Sequence, residues 1–220
     1  YGVRDFAAKG AVCIAVCGLL FVFANPPMQT PDESEHFLRT YAISMGRFDF
    51  DAQRGYPDDV SALYNAFPGA WVNAHTSAGS VEDEKSGETE YYTTAGNALK
   101  QYGEDGKVQS IADSFDEYFN DPDTTPVYEP VSFLILPFLP GAVGMAVARL
   151  FGFAALGCLY AGRIANLIVY TVLCWLALRS AQKFRPAFLC VMLLPMSLWM
   201  GASLSYDAAL LACYYLMLAL

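Results

Sequence analysis

Apolar residues are gathered in blocks along this chain, and the blocks predict its helices. One apolar run extends from Lys9 to Asn25, and apolar segments resume at residue 131 and continue to the end. Because a membrane span needs roughly 20 predominantly apolar residues, the first run and several later segments can cross a bilayer. The pattern predicts an all-α polytopic membrane protein. Residues 1–25 form its first transmembrane helix, 26–130 a large loop outside the membrane, and 131–220 a transmembrane helical region.

The large loop has a helical pattern of its own. Apolar residues recur at helical spacing in Tyr56–Phe67 and again in Lys107–Phe119. Both segments are predicted to be short amphipathic helices that pack near the membrane surface. Ser77–Glu90, between them, is polar and contains glycine, which is typical of a loop.

Composition supports the membrane interpretation. Hydrophobic residues make up 55% of the chain and aromatic residues 15%, which is more than an ordinary soluble domain contains. The first apolar run has the basic start of a signal peptide, but Pro26 and Pro27 make cleavage at its end awkward, and later spans would anchor the chain anyway. The chain begins without Met and stops inside an apolar run. We therefore expect a fragment of a longer protein, truncated at its C-terminus.

The distribution of charge predicts an orientation. The segment from Phe48 to Val127 contains sixteen acidic residues and four Lys or Arg. By the positive-inside rule, Arg4 and Lys9 place the N-terminus in the cytoplasm, so residues 26–130 are extracytoplasmic. The acidic excess also argues against nucleic acid as a partner.

The later helices allow two arrangements. The most basic loop, Arg179–Pro186, belongs in the cytoplasm. This requires that Val131–Phe151, which contains Pro137 and Pro140, is a broken, re-entrant or interfacial helix rather than a full crossing. The chain then returns through residues 187–203 and brings Asp207 to the outer face. The alternative is a normal span at 131–151, which would put the basic loop outside and Asp207 inside. We favour the first arrangement.

A cluster of ionisable residues follows the first apolar run directly. Residues 26–39 contain three acids, a histidine and an arginine: Asp32, Glu33, Glu35, His36 and Arg39. Thr30 followed by Pro31 and Glu33 matches a helix N-terminus with a capping box, and Gly46 matches the end of that helix. On such a helix Asp32, His36 and Arg39 share one face.

Each of these residues also has a structural interpretation. Glu33 would cap the helix, Asp32 would be favoured by the helix dipole, and Glu35 would pair with Arg39 one turn later. Their combination immediately outside a span is costly, however, and usually marks a functional site. Adjacent carboxylates can also bind Mg²⁺ or Mn²⁺, so Asp32 and Glu33 are the candidate ligands if a metal is used.

Further motifs accompany this cluster. They are Tyr128-Glu129-Pro130, Gly162-Arg163-Ile164-Ala165-Asn166 and Ser203-Leu204-Ser205-Tyr206-Asp207. Together with Pro26–Gly46 they resemble a family of bacterial predicted membrane proteins of unknown function. That family in turn resembles the GT-C superfamily of polytopic glycosyltransferases.

The resemblance implies a GT-C-like N-terminal module and a specific activity. Such an enzyme transfers a sugar from a polyprenyl-phosphate donor to a glycan or lipid acceptor, here on the outer face of the bacterial inner membrane. An acid in the first outer loop acts as the base or a metal ligand, and a second acid lies at the outer end of a later helix. The implied catalytic residues are Asp32, Glu33 and Asp207, and the implied substrate-binding residues are His36, Arg39, Arg163 and Tyr128.

Two alternatives accompany this hypothesis. Arg163 by itself is also explained as an arginine whose side chain extends to the membrane interface. The whole chain could instead be a non-catalytic scaffold, or a subunit of a transporter or flippase for cell-envelope polysaccharide. A transporter would place polar residues near the middle of its spans, where this sequence has Asn166 and little else.

Overall fold

The computed structural model describes residues 3–49, 51, 53–67, 79–82, 89–92, 110–129 and 134–220. Within these ranges the chain is helical apart from one β-hairpin. The helices are α1 (Val3–Ala24), α2 (Glu33–Ser44), α3 (Asp58–Ala66), α4 (Ile111–Asn120), α5 (Leu139–Leu150), α6 (Ala155–Ser180), α7 (Arg185–Met192), α8 (Pro195–Gly201) and α9 (Asp207–Ala219). Short 3₁₀ turns at Leu136–Phe138 and Gln182–Phe184 precede α5 and α7.

The hairpin corrects one prediction. Strands β1 (Gly79–Glu82) and β2 (Thr89–Tyr92) pair antiparallel, with Gly79 opposite Tyr92 and Glu82 opposite Thr89. The segment 77–90, predicted to be a loop, therefore contains β1 and the start of β2, whereas the rest of the described secondary structure is helical, as predicted. The other residues of that segment lie outside the described ranges.

Two helices are long and apolar enough to cross a membrane. Within the described residues they are Asp5–Ala24, with a mean hydropathy of 2.3, and α6, with a mean hydropathy of 1.6. They pack side by side in opposite directions: Gly18 of α1 lies against Leu167, and Gly10 lies against Leu178. Glycines at these positions leave room for the leucine side chains of α6, and small residues are common at contacts between membrane helices.

α5 and α6 form a tight helical hairpin. Gly152, with φ of +77°, makes the turn between them, and a left-handed conformation of this kind suits glycine. Gly144 of α5 faces the carbonyl of Ala161, at a distance that leaves no room for a side chain. The apolar helical stretch here runs from Leu136 to Leu150 and is shorter than a span requires.

The chain after α6 returns in two short helices rather than one. Residues 187–203, through which the chain was predicted to return, are divided where Pro195 begins α8 and separates it from α7. Leu189 of α7 lies beside Gly10, near the start of α1, whereas Ser203 accepts a hydrogen bond from Asn166. The chain therefore travels back along α6, and Asp207 lies at the opposite end of α6 from Arg179.

The polar part of the chain packs onto the end of the bundle where α1 stops. α2 packs against α5, and Phe67, just after α3, contacts Phe115 of α4 at 4.8 Å between ring centroids. Asp59 of α3 accepts a hydrogen bond from the Ala155 N–H at 2.9 Å, which caps the start of α6 from another helix. Helices form in both of the segments predicted to be amphipathic, as α3 and α4, although residues 107–109 lie outside the described ranges. α3 is buried along most of its length rather than on one face only.

Candidate functional site

The start of α2 differs from the predicted capping box. The helix begins at Glu33, and Asp32 is its N-cap residue, with φ of 56° and no side-chain capping bond. Thr30 is 1% exposed, and its Oγ1 atom has no hydrogen-bond partner among the described residues. The prediction was wrong because the Glu33 side chain does not turn back to the helix N-terminus. It bonds to a distant arginine instead.

That arginine is Arg163 of α6, and the two side chains form a buried ion pair. Arg163 Nε donates to Glu33 Oε1 at 2.8 Å, and Nη2 donates to Oε2 at 2.6 Å. Both side chains are 0% exposed. This two-point geometry is the strongest form of an arginine–carboxylate contact. A pair removed so completely from water is stable only when its remaining hydrogen-bonding groups are also satisfied.

The remaining donors of Arg163 are satisfied by the end of α1. Nη1 donates to the carbonyls of Val22 and Asn25 at 3.0 and 2.7 Å, and Nη2 donates to the Pro26 carbonyl at 2.9 Å. Arginine has five N–H donors, and all five are used. These carbonyls also lie at the negative end of the α1 dipole, where a cation is favoured. In this arrangement no N–H of Arg163 is left for a substrate phosphate.

Glu33 also binds the segment that leads to Asp207. Its Oε1 accepts a hydrogen bond from the Leu204 N–H at 3.0 Å. Asn166 of α6 donates through Nδ2 to the carbonyls of Ser203 and Ser205 at 3.0 and 3.3 Å. Residues 203–207 are therefore held against both α2 and α6, and Asp207 lies at the same end of the bundle as Asp32.

The other two predicted catalytic acids are more accessible than Glu33. Asp32 is exposed and has a left-handed backbone conformation, which is uncommon for a residue other than glycine. Asp207, in the first turn of α9, is partly buried. Its Oδ2 accepts from Ser205 Oγ at 3.1 Å, and its own N–H donates to the same Oγ at 3.1 Å.

His36 lies between the two accessible acids. Its N–H donates to the Asp32 carbonyl at 3.0 Å, and its ring lies 4.7 Å from the ring of Tyr206, the residue before Asp207. Phe138 contributes a second ring at 5.5 Å. Burial, and secondarily the positive charge of Arg39, lowers the pKa of His36 to about 4. The imidazole is therefore neutral at physiological pH.

Arg39 makes the ion pair that its spacing predicts. Its Nη2 donates to Glu35 Oε2 at 3.0 Å, and both side chains are partly exposed. This contact confirms the predicted i,i+4 pair. Since the charge of Arg39 acts on His36, Arg39 is the partly exposed cation next to this group of residues.

Tyr128 lies away from the other predicted site residues. It pairs with Gly55 in an isolated β-bridge, and its side chain is 54% exposed. The adjacent Glu129 forms an ion pair with Arg47 at 2.8 Å, beyond the C-terminal end of α2. Asp32 lies at the other end of that helix. Among the described residues, no contact joins Tyr128 to Asp32 or Asp207.

Sequence reasoning missed two of these contacts. Glu129 is 2% exposed and pairs with Arg47 across 82 positions of sequence, and Asn166 holds residues 203–205. Both residues lie in motifs that the resemblance had marked, but their partners are too distant in the chain for any spacing rule to find.

The described residues do not fit a metal centre. Among them, no group of three or more His, Cys, Asp or Glu side chains is arranged to hold a metal ion. Glu33, one of the two candidate ligands, has both oxygens occupied by Arg163 and the Leu204 N–H. Asp32 alone would offer a single carboxylate, whereas Mg²⁺ sites in proteins usually combine one or two carboxylates with further oxygen ligands.

These features define a class: a helical protein with two candidate membrane spans and a polar site at one end of its bundle. The chain belongs to the family described as Predicted membrane protein (DUF2142), whose model matches residues 15–220. The structural description and this family membership agree on a membrane protein.

Neither the search of curated proteins nor the search of solved structures found a match. The resemblance to GT-C glycosyltransferases therefore remains a prediction.

Proposed function

We propose that this protein is part of a membrane glycosyltransferase of the GT-C type. It would transfer a sugar from a polyprenyl-phosphate donor to a glycan or lipid acceptor of the cell envelope. The observation that supports this most is the position of Asp32 and Asp207. The Glu33–Arg163 pair and its bond to Leu204 hold the segments bearing these acids at one end of the helical bundle.

The chemistry needs one carboxylate that can accept a proton. In the proposed reaction the acceptor hydroxyl attacks the anomeric carbon of the sugar. A new carbon–oxygen bond forms as the bond between that carbon and the phosphate oxygen breaks. The hydroxyl proton passes to Asp32, and the polyprenyl phosphate leaves with the electron pair of the broken bond. General-base assistance of this kind contributes about 10²–10⁴-fold to a rate.

Asp32 is the better candidate for the base because it is exposed and its carboxylate has no hydrogen bond among the described contacts. Asp207, anchored by Ser205, would orient the acceptor or the sugar. Arg39 would provide positive charge for the leaving phosphate. Glu33 and Arg163 would act as positioning residues, because their polar atoms are already bonded to the protein.

The reaction would take place at the outer surface of the bacterial inner membrane, with the N-terminus in the cytoplasm. Support comes from the charges at the two ends of the bundle. Arg179, Lys183 and Arg185 lie at the end opposite Asp207, and the positive-inside rule assigns such residues to the cytoplasm. A site at the outer end would lie at the depth of lipid headgroups, where the phosphate of a lipid-linked donor is found.

The test is transfer from a panel of polyprenyl-phosphate sugars by the full-length protein. Asp32→Asn and Asp207→Asn are compared with Asp58→Asn, which changes an exposed acid in the first turn of α3 and serves as a matched control. We expect Asp32→Asn to lose about 100-fold or more of the rate, whereas Asp58→Asn stays active. Unchanged activity in Asp32→Asn would remove Asp32 from the mechanism. Inactivity of the wild type with every donor would favour the scaffold or transporter alternative.

A further inference from the structure

His36 is a buried polar side chain with an unsatisfied atom. The residue is 5% exposed, and its Nδ1 atom has no hydrogen-bond partner in the part of the chain that the structure describes. Buried polar atoms in folded proteins are almost always paired, because an unpaired one loses its bond to water without replacement. A partner from outside the protein would satisfy Nδ1.

The surroundings of His36 determine which partner is suitable. The pKa of about 4 means that the ring is neutral at physiological pH, with one nitrogen that donates and one that accepts. A neutral imidazole does not provide the positive charge that a phosphate requires. It can bond to a group that both donates and accepts, and a hydroxyl is such a group.

A second unsatisfied group lies in the same segment. Thr30 is 1% exposed, and its hydroxyl oxygen also has no hydrogen-bond partner among the described residues. Its carbonyl accepts from the Glu33 N–H at 3.0 Å, which fixes Thr30 at the start of α2. The charges of Glu33 and Arg163 compensate each other. The segment from Thr30 to His36 thus contains two neutral, unpaired hydrogen-bonding groups next to the exposed Asp32.

The aromatic rings around His36 indicate how a ligand enters. Phe138 is 5% exposed, whereas Tyr206 is partly exposed. Their centroids lie 5.8 Å apart, and both rings contact the imidazole. Tyr206 is therefore the more exposed of the two rings that contact the imidazole, and a ligand that reaches His36 from this side would displace it. Aromatic rings are also suitable neighbours for the apolar C–H face of a sugar.

We propose that His36 recognises a hydroxyl group of the acceptor sugar through Nδ1, and that Tyr206 closes over this contact. The inference rests on the proposed glycosyltransferase function and adds the chemistry of the acceptor, a neutral sugar. It also narrows the substrate-binding role implied for His36, from the substrate in general to the acceptor rather than the donor phosphate. His36 would then be a recognition residue, and Asp32 would remain the base.

Two variants separate recognition from packing. His36→Phe keeps an aromatic ring in the enclosure and removes both nitrogens, so the folded protein should be at least as stable as the wild type. His36→Asn loses the ring but places a polar atom close to the position of Nδ1. If His36 only filled space, the phenylalanine variant would retain function better than the asparagine variant. If it recognises a hydroxyl, the asparagine variant would retain function better.

The first measurement does not need catalysis. Thermal unfolding of the full-length protein in nanodiscs is followed while n-octyl β-D-glucoside, a neutral sugar on an alkyl chain, is added below its micellar concentration. Octyl tetraethylene glycol, which has the same chain without a sugar, is the control probe. We expect octyl glucoside to raise the unfolding temperature of the wild type more than the control probe does, and to lose this excess with His36→Phe. An equal effect on both proteins, or no excess in the wild type, would overturn the proposal.

The second measurement uses transfer kinetics. With an active donor, His36→Phe should raise KM for the acceptor about tenfold or more, the effect of losing one hydrogen bond to a buried group, with KM for the donor unchanged. A rise in KM for the donor alone would assign His36 to the donor phosphate and would contradict the proposal that it binds the acceptor. If the wild type transfers no sugar but its octyl glucoside binding depends on His36, the glycosyltransferase proposal fails and the sugar-recognition proposal stands.

Discussion

The Glu33–Arg163 pair and His36 lie at the same end of the bundle and differ in how far their hydrogen-bonding atoms are paired. In the Glu33–Arg163 pair, every N–H of the guanidinium has an acceptor, and both carboxylate oxygens are bonded. His36, three residues after Glu33, is buried, and no atom of the described chain pairs with its Nδ1. A fully paired group can hold the fold together but has no donor to offer a ligand. An unpaired one weakens the fold and leaves an atom for recognition.

This difference changes how the ionisable cluster is interpreted. Charge and proximity alone would make Arg163 the natural partner of a phosphate and Glu33 the natural base. Their hydrogen bonds instead join α1, α2, α6 and residues 203–207. Among the described ionisable residues of this cluster, Asp32 and His36 are the ones that keep open polar atoms. Substitutions can test this division into groups that hold the fold and groups that recognise a ligand.

Replacing Arg163 should cause the largest loss of stability. Arg163→Met leaves the Glu33 carboxylate buried without a counter-charge, which typically costs about 3–5 kcal/mol. Adding Glu33→Gln to the same chain should restore part of the loss, because the orphaned charge is then removed. The measurement is a double-mutant cycle of unfolding free energies in detergent. A loss below about 1 kcal/mol for Arg163→Met would contradict a holding role.

The pH dependence of stability should reveal the lowered pKa of His36. Its pKa is about 4 in the folded chain and near 6.5 when unfolded. Below pH 6.5 the imidazole of His36 binds a proton in the unfolded state but not in the folded state. The contribution of His36 to the free energy of unfolding therefore falls as the pH decreases towards 4. The full difference amounts to about 3 kcal/mol.

Other ionisable groups face His36, so a difference measurement is needed. They are Asp32, Glu33 and Arg39 on its own segment, and Tyr206 and Asp207 from the segment packed against it. The measurement is unfolding free energy from pH 7.5 to 4.5 in the wild type minus that in His36→Phe, which lacks the titrating ring. A difference that does not change with pH would show that the folded chain does not depress the pKa of His36.

Substitutions of Asp32 should separate the energetic cost of its backbone conformation from the chemical role of its carboxylate. With φ of 56°, Asp32→Gly fits the left-handed conformation, while Asp32→Ala should be less stable than Asp32→Gly by about 1 kcal/mol. Both variants lack the carboxylate and should lose transfer activity equally. Thermal unfolding and the transfer assay are run on both. If the more stable glycine variant kept activity, the role of Asp32 would be conformational rather than chemical.

The smallest effect is expected at the partly exposed pair. Glu35 and Arg39 lie one helical turn apart with a contact at 3.0 Å, and such pairs contribute about 0.3–0.5 kcal/mol. Arg39→Met should therefore change the unfolding free energy far less than Arg163→Met does. It should weaken donor binding if Arg39 faces the phosphate. A stability loss comparable to that of Arg163→Met would contradict the proposed difference in stabilising role between the two arginines.

The sequence was sufficient for features set by local pattern. The first apolar run is α1, the two amphipathic segments are α3 and α4, and the i,i+4 spacing of Glu35 and Arg39 gives an ion pair. Periodicity determines these features because the residues that cooperate lie within one or two helical turns. The same local logic failed at Thr30, where a nearby capping partner was expected but Glu33 bonds to a residue 130 positions away.

Composition and charge by themselves determined that this is a helical membrane protein with an ionisable cluster after its first span. Only the tertiary structure decided which members of the cluster have all their polar atoms bonded within the protein and which keep open polar atoms. The physical reason is that hydrogen-bond satisfaction depends on every atom within about 3 Å, whichever part of the chain supplies it. Arg163 draws its acceptors from α1 and α2, and His36 is enclosed by rings from two other segments. No spacing along the chain encodes those neighbours.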